Sequence, residues 1–266
     1  MLVRIVAVQA CLGEPLSLEE KIHIFKQRPD YVCLPEYYLL DRSVSDYSRA
    51  ALRVTEYLDY FEKLSDQLTT CLIAGTIVEP DGKHLYNSCY LYNRGFVIGR
   101  YRKRCPVSGE QEKGISPGSE KLVLNVDGVR ISVLICGDVF NQDLFTELAS
   151  EQVDLVFVPT TSPYLPDDSL SRKAHRDRKY FISGAELARS YVIKVCGVGE
   201  IFGRPLQGRS LVTAPWGIIS RTEIAGEQKK RILSLTLDIN ELREFRAKLR
   251  IRDWVDQTGS ESDRLN

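Results

Sequence analysis

The chain has few histidines and no closely spaced pair of cysteines. Only His23, His84 and His175 occur among its 266 residues, and none of the seven cysteines is part of a Cys-x-x-Cys pair. Structural zinc sites need several such ligands at short spacing, so the sequence predicts no metal site. The cysteines are scattered, and several lie in apolar runs, where a thiol behaves as a small buried hydrophobic side chain.

The chain also lacks a net charge and a long apolar run. Lysine plus arginine and aspartate plus glutamate both number 36, so no overall field attracts nucleic acid or an anionic membrane. No apolar run approaches the ~20 residues of a membrane-spanning helix, and the first residues run directly into a strand pattern without a signal peptide. We therefore predict a cytoplasmic protein with a small-molecule or protein partner, and no binding to nucleic acid or membrane.

The order of strand and helix patterns indicates the fold class. Apolar residues make up 43% of the chain, which suffices for one large core. Strand patterns alternate with helical patterns early and late in the chain, and Asn93-Arg94-Gly95 predicts a hairpin turn between them. We predict an α/β fold with a mixed sheet, in which two sheets pack face to face with helices outside. The predicted domain spans 1–258, and the polar tail 259–266 is expected to be flexible.

Helical spacing of apolar residues and helix-capping residues locate the helices. The predicted helices span 18–27, 48–69 and 144–151, and a fourth begins after Ser169 or Ser171 and ends near Tyr191.

Three reactive side chains stand at or just beyond the ends of predicted strands. Glu36 and Cys136 each follow a short apolar strand, and Lys103 follows the hairpin region. Ligands bind outside the carboxyl ends of strands in open α/β sheets, so this placement favours one shared site. Taken singly, each residue also has an ordinary interpretation: a buried packing thiol, a surface acid at a strand end, and part of a solvated basic stretch.

The three side chains form a coherent chemical set. A free thiol has a pKa of ~8.5 and needs a nearby base or cation to act as a nucleophile. Glu36 supplies a base and Lys103 a positive charge, whereas a cysteine–histidine pair would need His175, which lies in a charged stretch. Gly137 predicts a sharp turn that leaves the Cys136 thiol exposed. The Gly137 backbone N–H then points into the same space as the thiol, where it could donate to an oxyanion.

These residues resemble the ordered motifs of the carbon–nitrogen hydrolase (nitrilase-like) superfamily. The similarity spans nearly the whole chain, and it assigns the catalytic glutamate, lysine and cysteine to Glu36, Lys103 and Cys136. The three main motifs are Leu34-Pro35-Glu36, Gly99-Arg100-Tyr101-Arg102-Lys103 and Leu134-Ile135-Cys136-Gly137-Asp138. Weaker matches are Ser116-Pro117-Gly118, the helix 185–191, Gly208-Arg209-Ser210 and Pro215-Trp216-Gly217.

The resemblance implies a four-layer αββα sandwich, no metal or organic cofactor, and pairing into homodimers or larger homo-oligomers. It also implies a second glutamate shortly after the lysine. Glu110 fits the family's usual spacing from the lysine better, while Glu112-Lys113 is more similar to the family's local sequence motif. Both therefore stay candidates.

The substrate pocket is where the sequence departs from the family pattern. Arg104-Cys105-Pro106 replaces the common His-Leu, and Gly137 replaces a common aromatic residue. Tyr37 and Tyr164 are candidate substrate-binding residues, each also explicable by packing or loop structure. The basic cluster Arg172–Lys179 is a candidate for recognising a substrate carboxylate, and a solvated helix start is its alternative.

The sequence thus predicts hydrolysis of a non-peptide carbon–nitrogen bond through a thioester on Cys136. The substrate is a small amide, carbamoyl compound or nitrile, with an amidase favoured over a nitrilase. The alternative is a catalytically silent scaffold or binding protein with the same fold. A redox or thiol-transfer role is disfavoured because no second cysteine lies near Cys136 in the sequence.

Overall fold

Residues 1–249 are described by a computed structural model, and their strands pair into a single curled, mixed sheet. The strands are β1 (Leu2–Cys11), β2 (Tyr31–Cys33), β3 (Cys71–Ile73), β4 (Ile77–Asp81), β5 (His84–Asn93), β6 (Phe96–Arg102), β7 (Leu124–Val126), β8 (Val129–Val133), β9 (Leu155–Thr160), β10 (Tyr191–Ile201), β11 (Arg204–Leu206), β12 (Leu211–Ala214), β13 (Gly217–Arg221) and β14 (Arg231–Asp238). The predicted tail 259–266 and the end of the predicted domain, 250–258, lie outside the described residues.

The helices lie between the strands along the chain, and the longest of them, α3, buries an apolar face. They are α1 (Leu18–Lys26), α2 (Tyr47–Ala51), α3 (Val54–Leu68), α4 (Ser108–Gln111), α5 (Asp143–Ser150), α6 (Leu170–Arg176) and α7 (Ser183–Ala188), with 3₁₀ turns at Cys136–Phe140 and Ile224–Gly226. The wide turn Asp177–Ile182 joins α6 to α7, and a last described helix occupies 239–249.

The sheet order is β4-β5-β3-β2-β1-β10-β9-β8-β7, so its parallel strands form the centre. β1 and β10 meet only at Ala10↔Gly197 and Cys11↔Val198, near the carboxyl end of β1. Along the rest of its length β1 pairs with the antiparallel β14, from Leu2↔Asp238 to Gln9↔Arg231. The two halves of the sheet therefore diverge from a short common junction. The predicted mixed α/β class is confirmed by this topology.

The largest hydrophobic cluster contains side chains from both halves of the sheet. Ile5 and Cys33 from one half and Ile131 and Phe157 from the other are fully buried in it. Tyr31 links the halves directly, because its hydroxyl donates to the Val126 carbonyl at 3.2 Å and its ring centroid lies 5.7 Å from that of Phe157. Burial of this shared apolar surface is the main force that holds the halves together.

Two predicted helices differ in detail from the structure. The predicted helix 48–69 is two helices, because Asp46 caps α2 by accepting from the Arg49 N–H at 2.9 Å and the chain turns before α3. The predicted helix to Tyr191 begins after Ser169, which accepts from the Arg172 N–H at 3.2 Å, and ends at the left-handed residue Arg189. The predicted hairpin turn is present, with φ of 50° at Arg94 and 86° at Gly95.

Several short elements carried no clear periodicity and were not predicted. They are β4, β7, β11, β13, α4 and the helix at 239–249. β4 is an example: it contains Pro80 and ends in exposed residues, so its composition is that of a loop rather than a strand.

Candidate active site

Glu36, Lys103 and Cys136 converge on one cavity. Glu36 lies three residues beyond the end of β2, Lys103 directly follows β6, and Cys136 follows β8 and opens a 3₁₀ turn. The Lys103 Nζ donates to Glu36 Oε1 at 2.9 Å, and both side chains are only 1% exposed. Cys136 is partly exposed. All three line a cavity of about 510 Å³, a volume typical of small-molecule sites.

A tight turn presents the Cys136 side chain to this cavity. Cys136 has a φ of 40°, a left-handed conformation that non-glycine residues rarely adopt. Asp138 stabilises the turn by accepting from the Ile135 N–H at 2.8 Å, the Cys105 N–H at 2.7 Å and the Tyr101 hydroxyl at 2.8 Å. Such strain at a single residue, fixed by its surroundings, is common at functional sites.

Gly137 fits this turn because a side chain would collide with the loop beside it. A Cβ atom at Gly137 would lie 2.8 Å from Val107 Cγ1, 2.9 Å from the Cys105 carbonyl oxygen and 3.4 Å from Lys103 Cε. The Gly137 backbone is thus packed close to the lysine. Its N–H belongs to the first turn of a helix, where backbone donors have no partner within the helix.

Glu36 accepts hydrogen bonds from three residues. Thr161 donates to Oε2 through its backbone N–H at 2.9 Å and its hydroxyl at 2.5 Å. Asn87 donates to Oε1 through Nδ2 at 2.8 Å, beside the bond from Lys103. The Thr161 carbonyl also accepts from the Cys136 thiol at 3.2 Å. The carboxylate is therefore held in one orientation next to the sulfur.

Glu110, rather than Glu112, is the second glutamate in contact with the lysine. Glu110 Oε2 lies 2.7 Å from Lys103 Nζ, and its Oε1 accepts from Asn87 at 2.9 Å and from the Tyr37 hydroxyl at 2.8 Å. Glu112 is exposed on the cavity wall and makes no ion pair with the lysine. The lysine therefore lies between two carboxylates that share the Asn87 amide.

Burial and charge shift the pKa values of this cluster in different directions. Burial raises the pKa of Cys136 well above its usual range, and the Glu36 carboxylate adds to the effect while Lys103 opposes it. Burial would lower the pKa of Lys103, but Glu36, Cys136 and Glu110 outweigh it and the pKa is raised. Burial would raise the pKa of Glu110, yet Lys103 outweighs it and the pKa is lowered. The resting site therefore holds a neutral thiol beside a permanent ammonium.

The two predicted substrate-binding tyrosines lie in different places. Tyr37 is buried, lines the cavity and donates to Glu110, so it contacts the charged cluster as well as the open space. Tyr164 is 38% exposed and is not among the residues that line the cavity. Its backbone N–H donates to the Pro205 carbonyl at 2.9 Å, and its neighbours Pro163 and Leu165 line the cavity instead. The structure does not bring Tyr164 to the site.

Sequence reasoning missed Asn87 and Thr161. Thr161 directly follows β9, which continues through Pro159 to Thr160, and it is a fourth polar residue beyond a strand end. Asn87 lies inside β5 between Tyr86 and Ser88 and is fully buried, so its place in the strand pattern did not mark it as a site residue. Within 1–249, no group of three or more His, Cys, Asp or Glu side chains could hold a metal ion. In the same part of the chain, no helix has the length and apolar character to cross a membrane.

The chain belongs to the carbon–nitrogen hydrolase family. The model of that family matches residues 10–247, which confirms the family predicted from the motifs. The chain is 23% identical over 256 residues to the 2-oxoglutaramate amidase of Bacillus subtilis, covering 91% of this chain and 93% of that protein. It spans only 26% of the length of a glutamine-dependent NAD(+) synthetase from Acinetobacter baylyi, with 26% identity over 142 residues. The family and a relative that is an amidase confirm the prediction of an amidase-like hydrolase.

Solved structures share the fold. A carbon–nitrogen hydrolase from Helicobacter pylori G27 superposes with a TM-score of 0.80 at 16% identity, and 95% of each chain is covered. An amidase from Nesterenkonia sp. AN1, with the acetamide moiety of fluoroacetamide added covalently at its active-site cysteine, gives a TM-score of 0.71 at 18% identity, covering 95% of this chain and 96% of that one.

Proposed function

We propose that this protein hydrolyses a carbon–nitrogen bond of a small amide-like substrate through a thioester on Cys136. The observation that supports the proposal is the convergence on one cavity of a thiol, a carboxylate and an ammonium, those of Cys136, Glu36 and Lys103. The family relationship supports the same chemistry. An amide is the favoured substrate, ahead of a carbamoyl compound or a nitrile, because the relative that matches along its whole length is an amidase.

In the first half of the reaction Glu36 takes the thiol proton while the sulfur attacks the amide carbon. The raised pKa of Cys136 makes this base necessary, since little thiolate forms by itself. The oxygen of the tetrahedral intermediate becomes negative and is stabilised by Lys103 Nζ and the Gly137 N–H. One such donor commonly contributes ~3 kcal/mol. The carbon–nitrogen bond then breaks, Glu36 returns its proton to the leaving amine, and the thioester remains.

In the second half Glu36 takes a proton from water as the water oxygen attacks the thioester carbon. The second tetrahedral intermediate uses the same oxyanion donors. Its carbon–sulfur bond breaks, the Cys136 sulfur recovers a proton from Glu36, and the acid leaves. Lys103 keeps its charge throughout, because Glu36 and Glu110 raise its pKa.

Three neighbouring residues position the reacting groups. Glu110 and Asn87 hold Lys103 and Glu36 in place, and Thr161 orients Glu36 toward the sulfur. Tyr37 supports Glu110 from the cavity wall.

The arrangement of layers and the assembly belong to the same proposal. The shared core of the two sheet halves supports a four-layer αββα sandwich, with the halves face to face. Pairing into homodimers or larger homo-oligomers, a cytoplasmic location and activity without a cofactor stay predictions from the sequence.

The test is to offer the protein a panel of amides, carbamoyl compounds and nitriles and to measure hydrolysis by the release of ammonia. Cys136→Ala should abolish turnover and Cys136→Ser should leave a trace at most. Wild-type protein mixed with substrate and quenched early should show an acyl adduct on Cys136 by intact mass. Normal turnover by Cys136→Ala would refute the scheme. A wild-type protein that neither turns over the panel nor reacts with an electrophile at Cys136 would favour the silent scaffold.

A further inference from the structure

Several cations besides Lys103 line the cavity, and most of those that are buried or partly buried are neutralised by carboxylates. Lys173 Nζ lies 2.5 Å from Glu227 Oε2. Arg209 contacts Glu227 Oε1 at 3.1 Å and Asp177 Oδ2 at 2.8 Å. Arg176 pairs with Asp168. Two members of the basic cluster predicted from the sequence, Lys173 and Arg176, thus line the cavity, and both are already paired with carboxylates.

In the described part of the chain, Lys194 is a buried cation without such a partner, whereas Lys113 and Arg204 also line the cavity without an ion pair but are exposed. The Lys194 side chain is only 6% exposed, yet its ammonium makes no ion pair or hydrogen bond with any residue in 1–249. Its Nζ lies 4.7 Å from the ring centroid of Phe181, a contact that leaves all three N–H donors without an acceptor. A buried charge without a partner is unfavourable, so such a group is usually explained by a ligand.

Lys194 lies in the interior of the sheet rather than at its edge. Lys194 lies in the middle of β10, between Val158 of β9 and Leu211 of β12. Side chains two residues apart in a strand share a face, so Lys194 lies on the same face as Thr160, which also lines the cavity. Its neighbours in the strand are apolar and buried, and a lysine there has no role in core packing.

We propose that Lys194 binds an anionic group on the substrate, so that the amides hydrolysed by this protein carry a carboxylate or another anion away from the scissile bond. The proposal rests on the proposed function and names its substrate class. The aromatic and aliphatic part of the wall, which includes Val139, Tyr180 and Leu206, suits an apolar spacer between the two polar ends. Lys103 cannot serve this group, because Glu36 and Glu110 already neutralise it.

The test compares amides that differ only in charge. Monoamides of straight-chain dicarboxylic acids of increasing length are paired with the corresponding diamides, in which a neutral carboxamide replaces the carboxylate. Wild-type protein should show a higher kcat/KM for the anionic member at the length that fits. Lys194→Met should lower kcat/KM for that substrate by about 10- to 100-fold, mainly through KM, and leave the diamide unchanged.

Lys113 offers a matched control. It also lines the cavity with its Nζ over an aromatic ring, 5.0 Å from the Phe202 centroid, but it is exposed. Lys113→Met should leave the preference for the anion intact. Lys194→Glu should reverse the preference, favouring amides that carry an amine at the far end. Equal loss of both substrates in Lys194→Met, or loss of the preference in Lys113→Met instead, would overturn the proposal.

Binding measurements separate this proposal from the proposed function. Glutarate and inorganic phosphate are titrated into wild-type and Lys194→Met protein by calorimetry, and the comparison of the two anions distinguishes a carboxylate from a phosphate group. Anion binding that depends on Lys194 in a protein without amidase activity would refute the hydrolysis and keep the site. Hydrolysis of diamides and monoamides at equal rates would refute the site and keep the hydrolysis.

Discussion

Thr161 binds Glu36 twice, through its backbone N–H at 2.9 Å and its hydroxyl at 2.5 Å, and both bonds end on Oε2. The carbonyl of the same threonine accepts from the Cys136 thiol at 3.2 Å. One residue beyond the end of β9 therefore sets the position of the proposed base relative to the proposed nucleophile. Because β9 pairs in parallel with β8, the strand that leads to Cys136, the register of the sheet fixes this geometry.

Thr161→Val should lower kcat/KM by about 10- to 100-fold, because a hydrogen bond to a buried carboxylate is lost while the backbone N–H bond stays. Steady-state kinetics on the best amide substrate measure the effect. Thr161→Ser keeps a hydroxyl and should remain near the wild-type rate. A valine variant as active as the serine variant would show that the hydroxyl does not orient Glu36.

Asn87→Asp should inactivate the protein and destabilise it. The asparagine donates one Nδ2 group to both Glu36 and Glu110, at 2.8 and 2.9 Å, and an aspartate would place a third carboxylate between them. Breaking such a buried charged network commonly costs about 3 kcal/mol. Denaturant unfolding and kinetics provide the readouts. Asn93→Asp, at the far end of the same strand β5, is the control and should change neither stability nor activity. An Asn87→Asp variant as stable and active as this control would contradict the proposed role of Asn87 between the two glutamates.

Gly137→Ala should displace the turn that carries Cys136. Its new methyl group would lie 2.8 Å from Val107 Cγ1 and 2.9 Å from the Cys105 carbonyl. Overpacking of this kind costs about 1–3 kcal/mol, and the rate should fall further because the oxyanion donor moves. Gly109→Ala is the matched control, since it lines the same cavity and a Cβ there meets no atom within 4 Å. Equal effects of the two variants on kcat would argue against a role for the Gly137 N–H.

The convergence of three side chains on one cavity could be predicted from the sequence because each stands at or just beyond the end of a strand. Strand ends are visible as a change from apolar to polar residues, and a parallel sheet brings its carboxyl ends to one edge. Glu36, Lys103 and Cys136 all follow this rule. The choice between Glu110 and Glu112 could not be made, because both lie in or beside the four-residue helix α4, and only its orientation brings one of them to the lysine.

Polar residues inside strands could not be assigned from the sequence. Asn87 lies beside the equally polar Ser88, and Lys194 is a single polar position among apolar residues. In neither case does the pattern tell whether the side chain faces a core, a cavity or solvent. Tyr164 was a candidate substrate-binding residue, yet its neighbours Pro163 and Leu165 line the cavity and Tyr164 does not. The pattern of a loop does not tell which of three adjacent side chains faces a cavity.

Glu36→Gln should stop hydrolysis and yet make Cys136 easier to ionise. The Glu36 carboxylate raises the pKa of the thiol, second only to burial, whereas Lys103 lowers it. Replacing the carboxylate with a neutral amide removes the repulsion and leaves the ammonium, so the pKa of Cys136 should fall. The thiolate should then appear at lower pH in the variant than in the wild type. Rates of alkylation by iodoacetamide, measured over a range of pH by peptide mass spectrometry, report the ionisation at Cys136 alone among the seven cysteines.

Lys103→Met provides the opposing variant for this experiment. Loss of the ammonium removes the one nearby positive charge that lowers the pKa of Cys136, so alkylation should begin at higher pH than in the wild type. Both variants should be inactive, because one lacks the base and the other lacks the oxyanion partner. Alkylation profiles that coincide in all three proteins would mean that the sulfur is electrostatically uncoupled from Glu36 and Lys103. In that case, neither side chain could assist an attack by the sulfur at this cavity.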